Sequence, residues 1–422
     1  NYISSTILCL SVFYVFFDIS SLPAWKHLRT QLFGLTYNNY FIALWYLLPF
    51  IFFSLFNFLL RNNIKKINKF FTILSLFFFI IFLLRVNFYQ QPNPPKTFDN
   101  TINEKNFLDK RVIWVLFDEF DHNLVYKNKK LKNIFQFNEN SFVAKNMQAT
   151  SDQTISAIPE ILTGIVTKEI KVGKDYGNLK IVDTSNKFHR FNFENSIFGK
   201  VQSLGYASSI FGIYHPYCYI FSQAKYCSPV EYHHDQIKWY DGIKHVLFLK
   251  LIDKFFKNKL NLNSDYTKKQ IDLIDTHLNH EAGLVFMHLG IPHLPSLYAE
   301  KLFNKKVNND IESYNLNLKL TDLIIGSIIK KIEKERKLQL IIFSSDHWFR
   351  ESKKARPVVF SAKIYGDNNR VIFNDKSSNY HIGELVEEFF KDNIKSNSDI
   401  NKFFLKKKTA NTRLQKRYSI KK

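Results

Sequence analysis

The segment Leu338–Arg350, LQLIIFSSDHWFR, constrains the chain more than any other. Its apolar run, Leu338 to Phe343 broken only by Gln339, is short and rich in branched residues. It therefore reads as a buried strand. It runs straight into Ser344-Ser345-Asp346-His347. A carboxylate and an imidazole at the C-terminal end of a parallel strand lie where open α/β sheets place their ligands. Both are good donors to a divalent metal, although a solvated turn would look the same in isolation. Arg111–Phe117, RVIWVLF, repeats the device: a second apolar strand ends in Asp118, Glu119 and then Asp121. The alternative there is an exposed acidic turn.

The first ninety residues are of another kind. Ile3–Phe17, Phe41–Leu60 and Phe70–Leu84 are apolar. The second is long enough to cross a bilayer, which takes about 20 residues. The third reaches Phe88 if Arg85 snorkels to the interface. Residues 1–89 are therefore expected to form about three transmembrane helices rather than buried core helices. Arg61, Lys65, Lys66 and Lys69 lie between the second and third segments, whereas Lys26 and Arg29 precede the second. The positive-inside rule puts the former group in the cytoplasm and everything after the third segment outside it. The chain begins at Asn1 rather than Met, so further spans can precede it. Gln90–Lys105, with Pro92, Pro94 and Pro95, is a semi-extended linker, bounded at residues 90–108.

The formal charge of +22 raises the question of nucleic acid. The basic residues are dispersed, however, and no recognised nucleic-acid motif occurs, so no nucleic-acid partner is expected. Three cysteines are too few for a thiolate zinc site. Cys9, inside the first apolar segment, is read as a buried hydrophobe.

Beyond the linker, Thr154 precedes a short helical pattern that packs through Ile155, Ile158, Ile161 and Leu162. A hydroxyl at a helix N-terminus sits beside free backbone N–H groups that suit a phosphate or sulfate, unless Thr154 or Ser151 is simply a cap. Further on, strand Gly283–Met287 leads into His288-Leu-Gly-Ile-Pro292-His293-Leu-Pro295. The two loop prolines stiffen the segment that carries His293.

Taken in order, these motifs resemble the sulfatase branch of the alkaline phosphatase superfamily. They run from an acid-ended strand, through a nucleophile nine residues before Thr163-Gly164, through the Pro-His loop, to a strand ending Ser-Asp-His. Sulfatases carry Cys-Xaa-Pro-Ser-Arg followed by Leu-Thr-Gly, and Thr154 keeps that spacing. Thr154-Ile-Ser-Ala-Ile-Pro159 is also similar to the nucleophile segment of membrane phosphoethanolamine transferases. The likeness spans about Arg111 to Ile364. It implies an α/β fold, an alkaline-phosphatase-like α/β/α sandwich with a mostly parallel sheet. Two departures bear on the chemistry. Thr154 cannot become the formylglycine that sulfatases make from Cys or Ser, and Asp346-His347 replaces their Asp-Asn. Both point from sulfate hydrolysis toward the phosphotransferring relatives.

Other segments fit the same resemblance. Helix Glu194–Leu204, Gly205-Tyr206 and strand Ala207–Ile213 resemble the step after the nucleophile helix. Cys218 and Cys227, placed outside the cytoplasm, are expected to close a disulfide loop, with two unpaired core thiols as the alternative. His233-His234-Asp235 is read as a loop, because adjacent histidines on a strand point to opposite faces. Asn309–Arg336 is a helix capped by Asn309 or Asp310 and packed through Leu316, Leu320, Leu323, Ile328 and Ile332. Its Tyr314, Asp322 and Gly326 match the helix before the last catalytic strand of the family. Arg356–Ser361 resembles the family's returning strand, and His381, opening helix His381–Phe390, is read as a cap or surface residue rather than a ligand. The catalytic domain is bounded at residues 109–395 and a basic tail at 396–422, most basic from Lys406 onward and read as solvated.

The resemblance implies a bacterial inner-membrane, multi-pass enzyme whose domain faces the periplasm and acts on a lipid head group or a phosphate or sulfate ester. Asp118, Thr154, Asp346 and His347 would hold one divalent ion, zinc first, manganese or calcium as alternatives. Thr154 would be the nucleophile. His293 would assist the leaving group at the substrate, and Arg350 would bind the oxyanion. His288 is expected to be structural, and Glu119 and Asp121 are acids without an assigned role. A hydrolase on the same site and a non-catalytic envelope protein are the alternatives.

Overall fold

The computed structural model describes residues 109–172, 179–230, 260–333, 338–352 and 354–407. The three apolar segments, the linker, His233-His234-Asp235 and residues 408–422 of the tail lie outside the described residues. Among those described, no helix is long and apolar enough to cross a membrane.

The chain enters through β1 (Lys110–Asp118), buried along its whole length. Helices α1 (His122–Lys127) and α2 (Lys132–Asn138) lead to β2 (Phe142–Gln148) and α3 (Thr154–Thr163). A small antiparallel sheet follows, β3 (Thr167–Val172), β4 (Leu179–Asp183) and β5 (Phe188–Arg190). The main sheet resumes through α4 (Ile197–Ser203), β6 (Ser208–Gly212), α5 (Tyr217–Ile220) and β7 (Tyr226–Pro229). Then come α6 (Leu260–Asn279), β8 (Leu284–Pro292), α7 (Leu297–Phe303), α8 (Asp310–Ile332) and β9 (Leu338–Ser345). The order closes with β10 (Val358–Ile364), β11 (Val371–Phe373), β12 (Ser377–Ser378), α9 (Ile382–Phe390) and α10 (Asn397–Lys407).

Among the described residues, nine strands form the main sheet, ordered β11-β2-β10-β9-β1-β8-β6-β7, with β12 also on β2. β1 pairs in parallel with β8 and with β9, and β6 in parallel with β8 and β7. Of the described strands in this sheet, only β10 runs against its neighbours, β9 and β2. Because successive side chains point to opposite faces, Val112, Trp114 and Leu116 enter one core while Ile113, Val115 and Phe117 enter the other. Helices α3, α4, α9 and α10 cover the first face, and α1, α2, α6, α7 and α8 the second. The expected α/β/α sandwich is the observed architecture. Its near-continuous apolar strands are what burial on both faces requires.

Two details differ from expectation. Leu323 of α8 is 47% exposed and does not share the packing stripe of Leu316, Leu320, Ile328 and Ile332. The domain does not end at residue 395, because α10 packs Ile400, Phe403 and Phe404 into the core. Phe404 stacks on Phe142 at 5.4 Å and meets Phe360 edge-on at 5.3 Å. The lysines of this segment therefore decorate the outside of a packed helix. Asn309 caps α8 by accepting from the Glu312 amide at 3.0 Å. Cys218 and Cys227 are disulfide-bonded and tie α5 to β7.

Two stability measurements follow from this packing. Phe404→Ala should cost about 3–5 kcal/mol, read as a lower denaturant midpoint. The second concerns His277, which bridges Ser209 at 2.7 Å and Ser228 at 2.8 Å. Burial lowers its pKa from 6.5 to about 3, so it folds neutral. Its contribution is intact above pH 6.5 and is lost as pH falls toward 3, at about 1.4 kcal/mol per unit. Denaturation midpoints followed from pH 7 to pH 4 should fall less steeply in His277→Gln.

Candidate metal and nucleophile site

Strands β1 and β9 finish side by side, with Phe117 in register with Ser345. The next residue of each is an aspartate, so Asp118 and Asp346 emerge together. The pairing of β1 with β8 slips between Phe117 and Asp118, which turns the chain off the sheet at that point. Asp346 is fully buried. Its Oδ1 accepts the amides of Glu119 at 3.1 Å and His347 at 2.6 Å, and its Oδ2 has no hydrogen-bond partner. Asp118 Oδ1 also lacks one. Burial first, and then the Asp346 carboxylate, push the Asp118 carboxyl well above the usual carboxylate range.

His347 completes the cluster. Its Nδ1 lies 2.9 Å from the Trp348 carbonyl, which can only accept, so Nδ1 carries the proton. Nε2 faces Asp346 Oδ2 at 3.4 Å, Asp118 Oδ1 at 3.6 Å and Thr154 Oγ1 at 3.2 Å. Ligand atoms of Asp118, Asp346 and His347 all lie within 4.8 Å of one another.

Thr154 is the first residue of α3, and the cap position is Gln153, whose side chain makes no capping bond. The Thr154 hydroxyl is therefore directed at His347 rather than spent on its own helix. The helix ends where Gly164 adopts φ +69, a left-handed conformation that glycine enters at little cost. The Thr-Gly pair nine residues after Thr154 thus serves as a helix stop.

The rim holds Glu119, Arg350 and His293. Arg350 Nε donates to Glu119 Oε1 at 2.6 Å, and Nη2 to His293 Nε2 at 2.5 Å. His293 Nδ1 turns to the Leu294 carbonyl. The His293 loop is gripped by one amide: Asn317 Nδ2 donates to the carbonyls of Pro292, His293 and Pro295 at 3.3, 2.7 and 3.3 Å.

Other candidates fall outside the cluster. Asp121 caps α1 through the Leu124 amide at 3.0 Å and faces Arg356 at 3.7 Å. His288 is buried, with Nδ1 2.8 Å from the Tyr217 hydroxyl, and burial lowers its pKa to about 4. His381 lies 3.8 Å from Glu384, and it is not among the clustered ligands.

A model of the sulfatase family matches residues 110–370. The chain belongs to the sulfatase family. No curated protein sequence matches it. Among solved structures, this sulfatase-family chain is similar to a phosphonate monoester hydrolase of Agrobacterium radiobacter, at 12% identity over 67% of this chain and 74% of that one, with a TM-score of 0.45. It is also similar to a protein of the alkaline phosphatase superfamily from Vibrio parahaemolyticus, at 13% identity over 70% and 71%, TM-score 0.44. A murine ectonucleotide pyrophosphatase/phosphodiesterase matches at 14% identity over 57% of each chain, TM-score 0.33. The family match supports an enzyme of the hydrolase kind.

A divalent ion fits this sulfatase-family site. Two carboxylate oxygens without hydrogen-bond partners and one imidazole nitrogen converge in a buried volume. A cation between two adjacent buried carboxylates would let both ionise. The nitrogen donor suits zinc or manganese better than calcium, which takes oxygen ligands.

Sequence reasoning missed the residues that hold the donors in place. Asn379 Nδ2 donates to the carbonyls of Ser345 and Asp346 at 2.9 and 3.0 Å, and its Oδ1 accepts the Thr150 amide at 3.0 Å. It ties the end of β9 to the segment before Thr154. Its only signal was a polar Ser-Ser-Asn cluster ahead of an apolar helix. Equilibrium dialysis of the full chain should show stoichiometric zinc binding, lost in Asp346→Asn. Asn379→Ala should weaken binding by about 10–100-fold, the usual effect of removing a group that orients a ligand.

Proposed function

We propose that this chain is a membrane-anchored, metal-dependent enzyme that transfers a phosphoryl head group through Thr154 on the extracytoplasmic side. The observation that carries the reading is the Thr154 hydroxyl, free of any capping role and 3.2 Å from His347 Nε2 beside two buried aspartates. Threonine at this position, and Asp-His where sulfatases carry Asp-Asn, favour phosphoryl over sulfate chemistry. The apolar segments before residue 89 support the anchor, and lysines and arginines between the second and third support its orientation. The Cys218–Cys227 disulfide agrees with an oxidising compartment.

Asp118, Asp346, His347 and the Thr154 oxygen would hold one divalent ion, zinc by donor type. When bound, the ion lowers the pKa of a neighbouring hydroxyl and shields phosphoryl charge. Thr154 Oγ1 releases its proton to water and attacks phosphorus, the new O–P bond forms, and the P–O bond to the lipid remainder breaks. Arg350 binds a non-bridging oxygen and orients the group. His293 Nε2, once protonated from water, gives that proton to the departing oxygen and then takes one from the acceptor hydroxyl. Since Nε2 accepts from Arg350 in the structure, the substrate anion must first draw that guanidinium away.

The test is intact mass of the full chain in lipid nanodiscs containing phospholipid and zinc, beside Thr154→Ala. A head-group phosphoryl adduct on the wild type, absent from the variant, is expected. Free head group in water without an adduct would replace transfer by hydrolysis. Neither adduct nor bound metal would leave a non-catalytic envelope protein.

A further inference from the structure

Glu119 follows a proposed metal ligand directly, yet its side chain leaves the metal cluster. The cause is its backbone, which takes φ +65, a left-handed conformation uncommon for a residue with a Cβ. Both sides of the residue are pinned. The Glu119 amide donates to Asp346 Oδ1 at 3.1 Å, and its carbonyl accepts the Tyr314 hydroxyl at 2.5 Å. The Tyr314 oxygen in turn accepts the Asp121 amide at 3.1 Å. The carboxylate is thereby delivered to the rim, where its side chain is only 4% exposed and accepts from Arg350 Nε at 2.6 Å. His293 Nε2 stands 3.8 Å from the same oxygen. Arg350 is 46% exposed at its side chain, so its guanidinium faces the space a substrate would enter.

The charges can be counted. Asp118 and Asp346 bring two negative charges, which a divalent ion matches. Arg350 brings one positive charge, which Glu119 matches at hydrogen-bond distance. Arg350 lies close enough to Asp118 and Asp346 for its charge to be felt there. The described site is therefore balanced before substrate arrives. A singly charged ester adds one negative charge to it and a doubly charged ester adds two, in a partly buried place where each uncompensated charge is expensive.

We propose that Glu119 is a specificity-determining residue that sets the charge preference of this site, favouring singly charged phosphodiesters over doubly charged phosphate monoesters. The inference rests on the reading of Arg350 as the oxyanion ligand, and it adds the substrate class. Glu119 acts by holding Arg350 half-neutralised, so that the guanidinium keeps its directional hydrogen bonds and loses much of its pull on a second negative charge.

The experiment compares two ligands of nearly equal size, methyl phosphate and dimethyl phosphate. At pH 8 the first is a dianion, its second pKa being about 6, and the second is a monoanion. Calorimetric affinities would be measured on the zinc-loaded full chain in detergent. Glu119→Gln should raise the methyl to dimethyl phosphate affinity ratio by about tenfold or more. Glu119→Asp, which keeps the charge, should hold the ratio near wild type. Arg350→Ala should weaken both ligands and move the ratio the other way, because Glu119 is then unmatched. That variant stands in should Glu119→Gln fail to fold. An unmoved ratio in folded Glu119→Gln, with both ligands weakened by Arg350→Ala, would overturn the inference and leave Arg350 as an oxyanion ligand. Unchanged affinity for both ligands in Arg350→Ala would overturn the Arg350 reading, and this inference with it.

Discussion

Two carboxylates buried against each other are the constraint on which the rest of the domain depends. Burial and the neighbouring Asp346 carboxylate push Asp118 toward its neutral form, which a cation between the two would relieve. Nothing local would keep them adjacent, since they repel and come from distant parts of the sequence. The sheet does so, by placing β1 and β9 in parallel register up to Phe117 and Ser345. Backbone amides of Glu119 and His347 saturate one oxygen of Asp346 and leave the other open. The sandwich of helices on both faces supplies the rigidity that such an arrangement needs.

Around this inner pair the polar groups form shells that differ in purpose. Asn379, Ser345 and the Trp348 carbonyl aim the donors and set the histidine tautomer. Tyr314 and Asn317, both on α8, act further out, one on the Glu119 turn and the other on the His293 loop. A single helix therefore controls two parts of the rim through two side chains. Asp322 on the same helix caps α2 by accepting the amides of Asn133 and Ile134. Gly326 lets Asn133 approach, since a Cβ there would stand 2.6 Å from its amide carbon. The Tyr314, Asp322 and Gly326 pattern thus has a mechanical origin: each residue fixes a neighbouring element against α8.

Much of this was legible in the sequence where the signal is local. The apolar runs of β1 and β9, their acidic ends, and the Thr154 to Gly164 spacing each follow from a few consecutive residues. What escaped depends on contacts between distant segments. Asn379 acts on Asp346 and Thr150, and no feature of its own neighbourhood announces either partner. Glu119 stood beside Asp118 and shared its composition, so only the left-handed backbone separates their roles. In the sequence α10 reads as tail because its lysines outweigh Ile400, Phe403 and Phe404, although that spacing at positions i, i+3 and i+4 is the mark of a buried helical face. Leu323 erred in the opposite sense, since an apolar residue on α8 need not lie on its buried stripe.

The strand order also has a consequence for how the protein is made. β1 is the first of the described strands to leave the ribosome, yet Val112 pairs with Leu284 and Leu340, both far downstream. At about 5–20 residues per second, its apolar surface waits on the order of ten seconds for its first neighbour. β2 waits as well, since all its partners, β10, β11 and β12, are made after β9. The domain is therefore expected to need shielding by a chaperone during synthesis, and the Asp118, Asp346 and His347 cluster assembles only when Asp346 and His347 have emerged.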